Sequence, residues 1–296
     1  MTAGSTHVAL PSVGVVILTQ GSRPVELDRA VRSVLAQTGV ATDVVVVGNG
    51  WRPTGLPPEV TTVELPTNVG VGGRNAGVGA VRGDVLFFLD DDAWLADDTA
   101  LESLAQLFRD HPAIGMVQTR LADPESATAP RYWIPRLRKG SATRSSTVMY
   151  VLEAALAIRR EVFEQIGGFV PDFGYAHEGI DLTWRVWDAG YLVWYAGDLV
   201  TCHPAIYPTR HAEFWRLNAR NRVWLARRNL PAVLIPGYLA TWAAVEHLRL
   251  RRDPAARRAW LTGFKEGWST TAVSPRHPMS WRTVAEMTRH GRPPIV

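Results

Sequence analysis

The 296-residue chain reads as an α/β protein, a mainly parallel sheet with helices on both faces, followed by a helical C-terminal extension. Two observations predict this. Strand-length apolar runs alternate with segments of helical periodicity through the first half, and those runs are apolar throughout, as strands covered on both faces must be. Beyond His203 the text turns helical, which supplies the extension. Hydrophobic residues make up 46% and charged residues 20%, ordinary globular usage that excludes a disordered chain. This length can bury one substantial core with an appended element, or form two modest domains.

The elements follow in order. Residues 13–19 form a buried strand, after which Leu27, Ala30, Val31, Val34 and Leu35 recur at helical spacing. Asp43 and four valines make a second buried strand. A Pro/Gly-rich loop over 51–58 leads to a short strand at 60–65, and a helix beginning near Gly72 leads to the strand at 85–89. A helix over 99–108 places Leu101, Leu104, Ala105 and Phe108 on one face, and Asp97, Asp98 or Thr99 is positioned to cap it. A strand at 114–119 follows. Residues 123–147 are polar and rich in Pro, Arg and Ser, which predicts a mobile loop. Order returns at 148–158; a loop with Gly167, Gly168 and Gly174 opens a helix over 178–189, and 192–196 is a further strand. No internal repeat is present.

The chemistry concentrates where strands end. Asp90, Asp91 and Asp92 follow directly on Val85-Leu86-Phe87-Phe88-Leu89, so three carboxylates sit where a buried strand leaves its sheet. Like charges this close disfavour one another's ionisation, and a cation is the natural compensation. Alternation lets Asp90 and Asp92 converge on one object while Asp91 faces elsewhere. Oxygen ligands suit Mg²⁺ or Mn²⁺, ions that keep positions for a substrate's phosphates. The competing reading is an acidic loop capping the next helix. In the segment Asn68 to Gly77, several glycines at a helix start allow close backbone approach to a ligand, and Arg74 with the helix amides can face anionic oxygens; a plain tight turn is the alternative. His177-Glu178-Gly179-Ile180-Asp181 opens the helix ending in Arg185. Glu178 can serve there as a general base, whereas Asp181 is placed to pair with Arg185 at i+4. His203 alone is as compatible with structure as with metal binding.

The single cysteine, Cys202, excludes an intrachain disulfide and a thiolate-rich zinc site, and a reducing compartment is permitted. Residues 1–7 carry no cationic n-region. The apolar stretch 230–245 is too short and too Pro/Gly-interrupted to span a bilayer. The expectation is a cytoplasmic protein with no spanning helix. Net charge is +4, but residues 205–261 carry +8 and the remainder −4. That segment sets Arg210, Arg216, Arg220, Arg222, Arg227, Arg228, Arg249, Arg251, Arg252, Arg257 and Arg258 against three acids. Beside Phe214, Trp215, Trp224 and Trp242, such clustering suits an anionic membrane surface or a phosphorylated ligand, and equally a solvated helical face.

Taken together, the segments from about Val13 to His203 resemble the family 2 inverting glycosyltransferases of the GT-A fold. The residues carrying the resemblance are Val15-Val16-Ile17-Leu18-Thr19, Asn68 to Gly77, Leu89-Asp90-Asp91-Asp92-Ala93, Gly167-Gly168-Phe169, and the helix with Glu178, Asp181, Leu182 and Arg185. The resemblance implies a nucleotide-diphosphate sugar as donor, held by Thr19, Asn49, Asn68, Arg74, Asn75, Asp90 and Asp91. It implies Mn²⁺ or Mg²⁺ on Asp90 and Asp92 with His203 as third contact, and Glu178 or Asp181 as base. It divides the chain into a nucleotide-binding half (1–122), an acceptor and base half (123–204) and a basic helical extension (205–296). The acceptor would be a glycan, a lipid-linked acceptor or a small molecule, met in part at the cytoplasmic face of a membrane; no nucleic-acid partner is expected. Aromatic faces at Trp94, Trp133, Trp184, Trp187 and Trp194 suit a sugar ring.

Two departures stand out. The second strand ends in Gly48-Asn49-Gly50 where relatives carry an aspartate, and Gly179 stands where relatives carry the base. The rivals are a binding protein that has lost the base, and a nucleotidyltransferase, for which Gln20-Gly21-Ser22-Arg23-Pro24 is a poor phosphate loop.

Overall fold

The computed structural model describes residues 11–125, 130–205, 213–270 and 274–295. In chain order the elements are β1 (Ser12–Thr19), α1 (Pro24–Leu35), β2 (Ala41–Asn49), β3 (Val60–Leu65), α2 (Gly73–Val78), β4 (Val85–Asp90), β5 (Trp94–Leu95), α3 (Ala100–Asp110) and β6 (Ile114–Ala122). Then come β7 (Ser146–Thr147), β8 (Ala155–Arg159), α4 (Arg160–Gln165), α5 (Glu178–Asp188) and β9 (Leu192–Cys202). The chain ends in α6 (Phe214–Asn229), α7 (Ile235–Arg249), α8 (Pro254–Ser269) and α9 (Trp281–Arg289).

All strands join one sheet in the order β3-β2-β1-β4-β8-β6-β9-β5, with β7 on β9. The half containing β1 to β4 is parallel, because each strand returns through a crossover. β8 is the exception that the alternating pattern does not foresee: it inserts antiparallel between β4 and β6. β6 and β9 pair in parallel, so the sheet is mixed rather than wholly parallel.

Alternation sorts the strand residues into two cores. Val16, Val45, Leu86 and Phe88 face α2, α4 and α5, while Val15, Ile17, Val46 and Phe87 face α1 and α3. Both sets are fully buried, which is why β1, β2 and β4 read as continuous apolar runs.

Three expectations need correction. α2 is a six-residue helix preceded by a 3-10 turn at Gly70–Gly72, and its glycines approach protein rather than open space: a Cβ at Gly77 would lie 2.5 Å from Val16 Cγ1. The stretch 123–147 is not a featureless loop over its described residues. Trp133, Ile134 and Arg136 are buried, and the Arg136 guanidinium donates to the carbonyls of Ser141 (2.6 Å) and Arg144 (2.8 Å), doing for this polar text what apolar contacts do elsewhere. Ahead of α3, Asp97 Oδ1 accepts from the Thr99 N–H, but the Thr99 side chain makes no cap.

Candidate active site

A cleft of about 800 Å³ opens at the carboxyl ends of β1, β2 and β4, where ligands of open α/β sheets bind. Its walls come from the turns after those strands, from the start of α5 and from the start of α6. Among the sequence-predicted residues, Thr19, Asn49, Asn68, Arg74, Asp90, Asp91, Asp92, Glu178 and His203 line it.

The three aspartates part company because β4 ends at Asp90 and a turn follows, the Ala93 N–H donating to the Asp90 carbonyl. Asp90 Oδ1 accepts from Arg74 Nη2 at 2.5 Å. Asp91 turns toward β1, accepting from the Thr19 hydroxyl at 2.6 Å and from Arg23 at 3.3 Å. Asp92 is only 5% exposed; it pairs with Arg23 and faces His203 Nε2 at 3.3 Å. One ligand atom each from Asp90, Asp92 and His203 fall within 4.8 Å of one another. The donor set fits a divalent cation: two carboxylates and an imidazole whose Nδ1 sits 2.7 Å from the Pro204 carbonyl, which leaves Nε2 for the site. None of the three aspartates caps a helix.

Electrostatics distinguish these groups. Burial pushes Asp91 up to about 6, against the Thr19 hydrogen bond and Arg23. Burial works the same way on Asp92, yet the hydrogen bond and charge of His203, with Arg23, hold it below the ordinary carboxylate value. For His203 burial favours the neutral ring, but the hydrogen bond it donates to Asp92 and the charges of Asp92 and Asp90 outweigh it and raise its pKa.

The opposite wall is acidic too. Glu178 is buried, its Oε2 meets no hydrogen-bond partner among the described residues, and burial followed by the charge of Glu153 lifts it to about 8. Glu153, which sequence reasoning missed, lies in the turn before β8 and lines the same cleft. Its Oε1 accepts from the Gly179 N–H at 2.5 Å, and its carbonyl accepts from Arg74. Nothing in Leu152-Glu153-Ala154 flags it, since its meaning depends on a contact 26 residues away.

Other expected residues lie elsewhere. The Asn75 amide is spent on Phe169, donating to its carbonyl (2.8 Å) and accepting from its N–H (2.9 Å), and does not line the cleft. Asp181 is fully buried behind the cleft wall, held by Arg185 (2.6 Å), Arg228 (3.1 Å) and Asn229 (2.8 Å). Asn49 lines the cleft but acts on the chain: its amide bonds the Asn68 side chain, the Gly70 carbonyl and the Val69 N–H, shaping the turn before α2. Of the five tryptophans only Trp133 lines the cleft, edge-on to His203. Trp184 and Trp187 are core, Trp94 carries Arg29 on its face, and Trp194 packs against the core. Arg23, Tyr132 and Arg220 complete the wall without having been singled out.

A mixed α/β sheet with paired carboxylates at the carboxyl end of β4 and a histidine just after β9 is the arrangement expected of a GT-A glycosyltransferase fold. The sequence pattern of Glycosyl transferase family 2 matches residues 14–167, more than half of the chain, and the chain belongs to that family. Similar curated proteins include an uncharacterized glycosyltransferase from Nostoc sp., 26% identical over 187 residues (57% of this chain, 54% of that protein). Another is the O-antigen chain rhamnosyltransferase RfbN of Salmonella typhimurium, 30% identical over 156 residues (49% of each). The chain therefore spans about half the length of the curated relatives it matches. Among solved structures, GalNAc-T7 with UDP, GalNAc and Mn²⁺ superposes with a TM-score of 0.60 at 16% identity, covering 90% of this chain and 55% of that one. The mannosyltransferase PcManGT from Pyrobaculum calidifontis with GDP-Man and Mn²⁺ gives 0.58 at 18% identity, covering 96% and 80%. At these identities the likeness establishes the fold.

Proposed function

We propose that the chain is a metal-dependent inverting glycosyltransferase that moves a sugar from a nucleotide-diphosphate donor to an acceptor hydroxyl. The observation that carries it is the convergence of Asp90, Asp92 and His203 on one point of a cleft whose opposite wall holds two carboxylates, Glu153 and Glu178. Asp90, Asp92 and His203 would hold Mn²⁺ or Mg²⁺, which as a Lewis acid neutralises charge on a departing diphosphate. Thr19 and Asn68, at the ends of the first strands, border the space for nucleoside, and Arg23 and Arg74 bring positive charge to the phosphates. A carboxylate of the far wall takes the acceptor's proton while its oxygen attacks the anomeric carbon from the face opposite the leaving group. The Mn²⁺ named for the two structural neighbours, with UDP and GalNAc in one and GDP-Man in the other, agrees with this reading.

Phe214, Leu217 and Arg220 of α6 bring the C-terminal extension to the cleft mouth, which suits a glycan, glycolipid or small natural-product acceptor. The test is thermal unfolding with UDP, GDP and dTDP, each with and without Mn²⁺ or Mg²⁺. One nucleotide should raise the midpoint only when metal is present, because a ligand that binds the folded state alone stabilises it. Failure of every pair to do so would refute the reading.

A further inference from the structure

Gly179 is the second residue of α5, and the space its side chain would fill is already taken. A Cβ built there would lie 2.1 Å from Glu153 Oε1, 2.6 Å from the Val151 carbonyl oxygen and 2.7 Å from Glu153 Cδ, closer than any real contact, so the Glu153 carboxylate and the Val151 backbone together stand where a residue-179 side chain would project. It arrives from the turn before β8, is tied by the Gly179 N–H at 2.5 Å, and still lines the cleft that holds Asp90, Asp92 and His203. Its neighbour Glu178 has an oxygen with no hydrogen-bond partner among the described residues.

We infer that Glu153 is the catalytic base, the carboxylate that takes the proton from the acceptor hydroxyl, and that residue 179 is glycine because Glu153 fills its place. This rests on the glycosyltransferase reading above. In the step, the acceptor O–H bond breaks toward Glu153, the acceptor oxygen bonds the anomeric carbon, and the bond from that carbon to the diphosphate breaks with its electron pair leaving on the phosphate oxygen. Glu153 ends as the neutral acid and returns its proton to solvent.

The surroundings divide the work between the two acids. Burial pushes Glu153 above the ordinary carboxylate value, while the charge of Arg74 from α2 and the N–H groups of Glu153 itself and of Gly179 pull it back toward the ionised form. Glu178 is raised by burial and then by the charge of Glu153, to about 8, so it keeps its proton at neutral pH. A protonated Glu178 can donate a hydrogen bond into the cleft but cannot accept the acceptor's proton.

The experiment measures nucleotide release from UDP-glucose, UDP-N-acetylglucosamine, GDP-mannose and dTDP-rhamnose with Mn²⁺, using water and p-nitrophenyl glycosides as acceptors. The proteins are wild type, Glu153→Gln, Glu178→Gln, Glu153→Ala, Gly179→Asp and the double variant Glu153→Ala/Gly179→Asp, each also tested for Mn²⁺-dependent stabilisation by the nucleotide diphosphates. Glu153→Gln should lose roughly 10²–10⁴-fold in kcat with donor KM and nucleotide stabilisation unchanged, which a merely structural residue would not do. Glu178→Gln, which resembles the protonated acid, should stay within about tenfold of wild type. Gly179→Asp should melt lower than wild type, and the double variant should recover part of the stability and turnover lost in Gly179→Asp, because a carboxylate is present and the contact with Glu153 is gone while that with the Val151 carbonyl remains. Glu153→Gln turning over like wild type, with Glu178→Gln inactive, would overturn the inference. So would a wild type that binds nucleotide yet releases none, since such a chain needs no base. If no nucleotide diphosphate stabilises the protein, the glycosyltransferase reading itself fails and the inference falls with it.

Discussion

Asp92 is nearly buried and yet held below the ordinary carboxylate pKa, which burial alone would not permit; His203 and Arg23 supply the compensation. Asp92→Ala should therefore abolish Mn²⁺-dependent stabilisation by nucleotide, weakening it by at least the roughly 10–100-fold that loss of an outer partner costs a metal site. Asp91→Ala, which loses contacts to Thr19 and Arg23 rather than a ligand, should be milder. Thermal shift with titrated Mn²⁺ separates the two, and equal losses would argue against the assignment of Asp92. Glu178 makes a prediction about pH. Its folded pKa of about 8 lies above the ordinary 4.5, so the folded protein binds a proton that the unfolded chain has released. Its contribution is fully present below about pH 4.5 and is lost as pH rises through 8, so stability falls across that window. Glu178→Gln should flatten that fall in urea unfolding measured from pH 5 to about 8.5, and an unchanged slope would show that Glu178 is not the group responsible. Asp181 acts through charge that is wholly enclosed. Asp181→Asn leaves Arg185 and Arg228 facing a neutral amide and should cost about 3–5 kcal/mol in denaturant unfolding, as breaking a buried pair does.

At the scale of elements, the start of α5 is the strained part of the site. Ala176 and His177 both have φ of 73°, a left-handed conformation that costs non-glycine residues about 1–3 kcal/mol each. Asn221 of α6 holds them: its amide nitrogen lies 2.8 Å from the carbonyls of Phe173, Tyr175 and Ala176. Through this clamp a helix of the C-terminal extension sets the position of Glu178 and of the Gly179 N–H. Asn221→Ala would remove the side-chain amide these carbonyls share, although the Phe173 carbonyl keeps the Tyr175 N–H and Arg220, so it should cost roughly 1–3 kcal/mol and lower kcat more than donor affinity; a variant as stable and active as wild type would refute the clamp. The sequence makes part of this legible and not the rest. β1, β2 and β4 are readable because burial on both faces demands unbroken apolar text, and Asp90 to Asp92 stand out because charge at the end of such text needs a reason. Asn221 and Glu153 are unreadable for the same physical cause: each is a single polar residue in unremarkable text whose partner lies 45 or 26 residues away. The antiparallel insertion of β8 is hidden likewise, since an apolar run does not encode the direction of its neighbours.

For the molecule as a whole, the concentration of arginine after residue 205 turns out to be largely internal. Arg216 and Arg220 pair with Glu266 of α8, Arg222 lies against Trp242 and bonds Tyr238 of α7, Arg227 donates to the carbonyls of Gly267 and Thr270 at the end of α8, and Arg228 reaches Asp181 in α5. These arginines fasten the extension to the catalytic half and to itself, so they are not the face offered to a membrane. Arg210 lies outside the described residues. What remains exposed lies around the turn joining α7 to α8: Arg249 at the end of α7, Arg251 and Arg252 in the turn and Arg258 early in α8, in the same part of the chain as the exposed Val245, Leu248 and Leu261. Among the described residues no helix is long and apolar enough to cross a membrane. Basic residues near an anionic surface contribute about 1 kcal/mol each, and that attraction is screened by salt. Co-sedimentation with vesicles containing phosphatidylserine should accordingly exceed that with phosphatidylcholine alone and fall as salt rises. Reversing the charge of Arg251, Arg252 and Arg258 together should remove most of it while leaving the unfolding midpoint near wild type, because none of the three is enclosed. Binding that survives this triple variant, or that ignores salt, would place the contact elsewhere; reversing Arg228 instead should unfold the protein, since its partner Asp181 is fully buried.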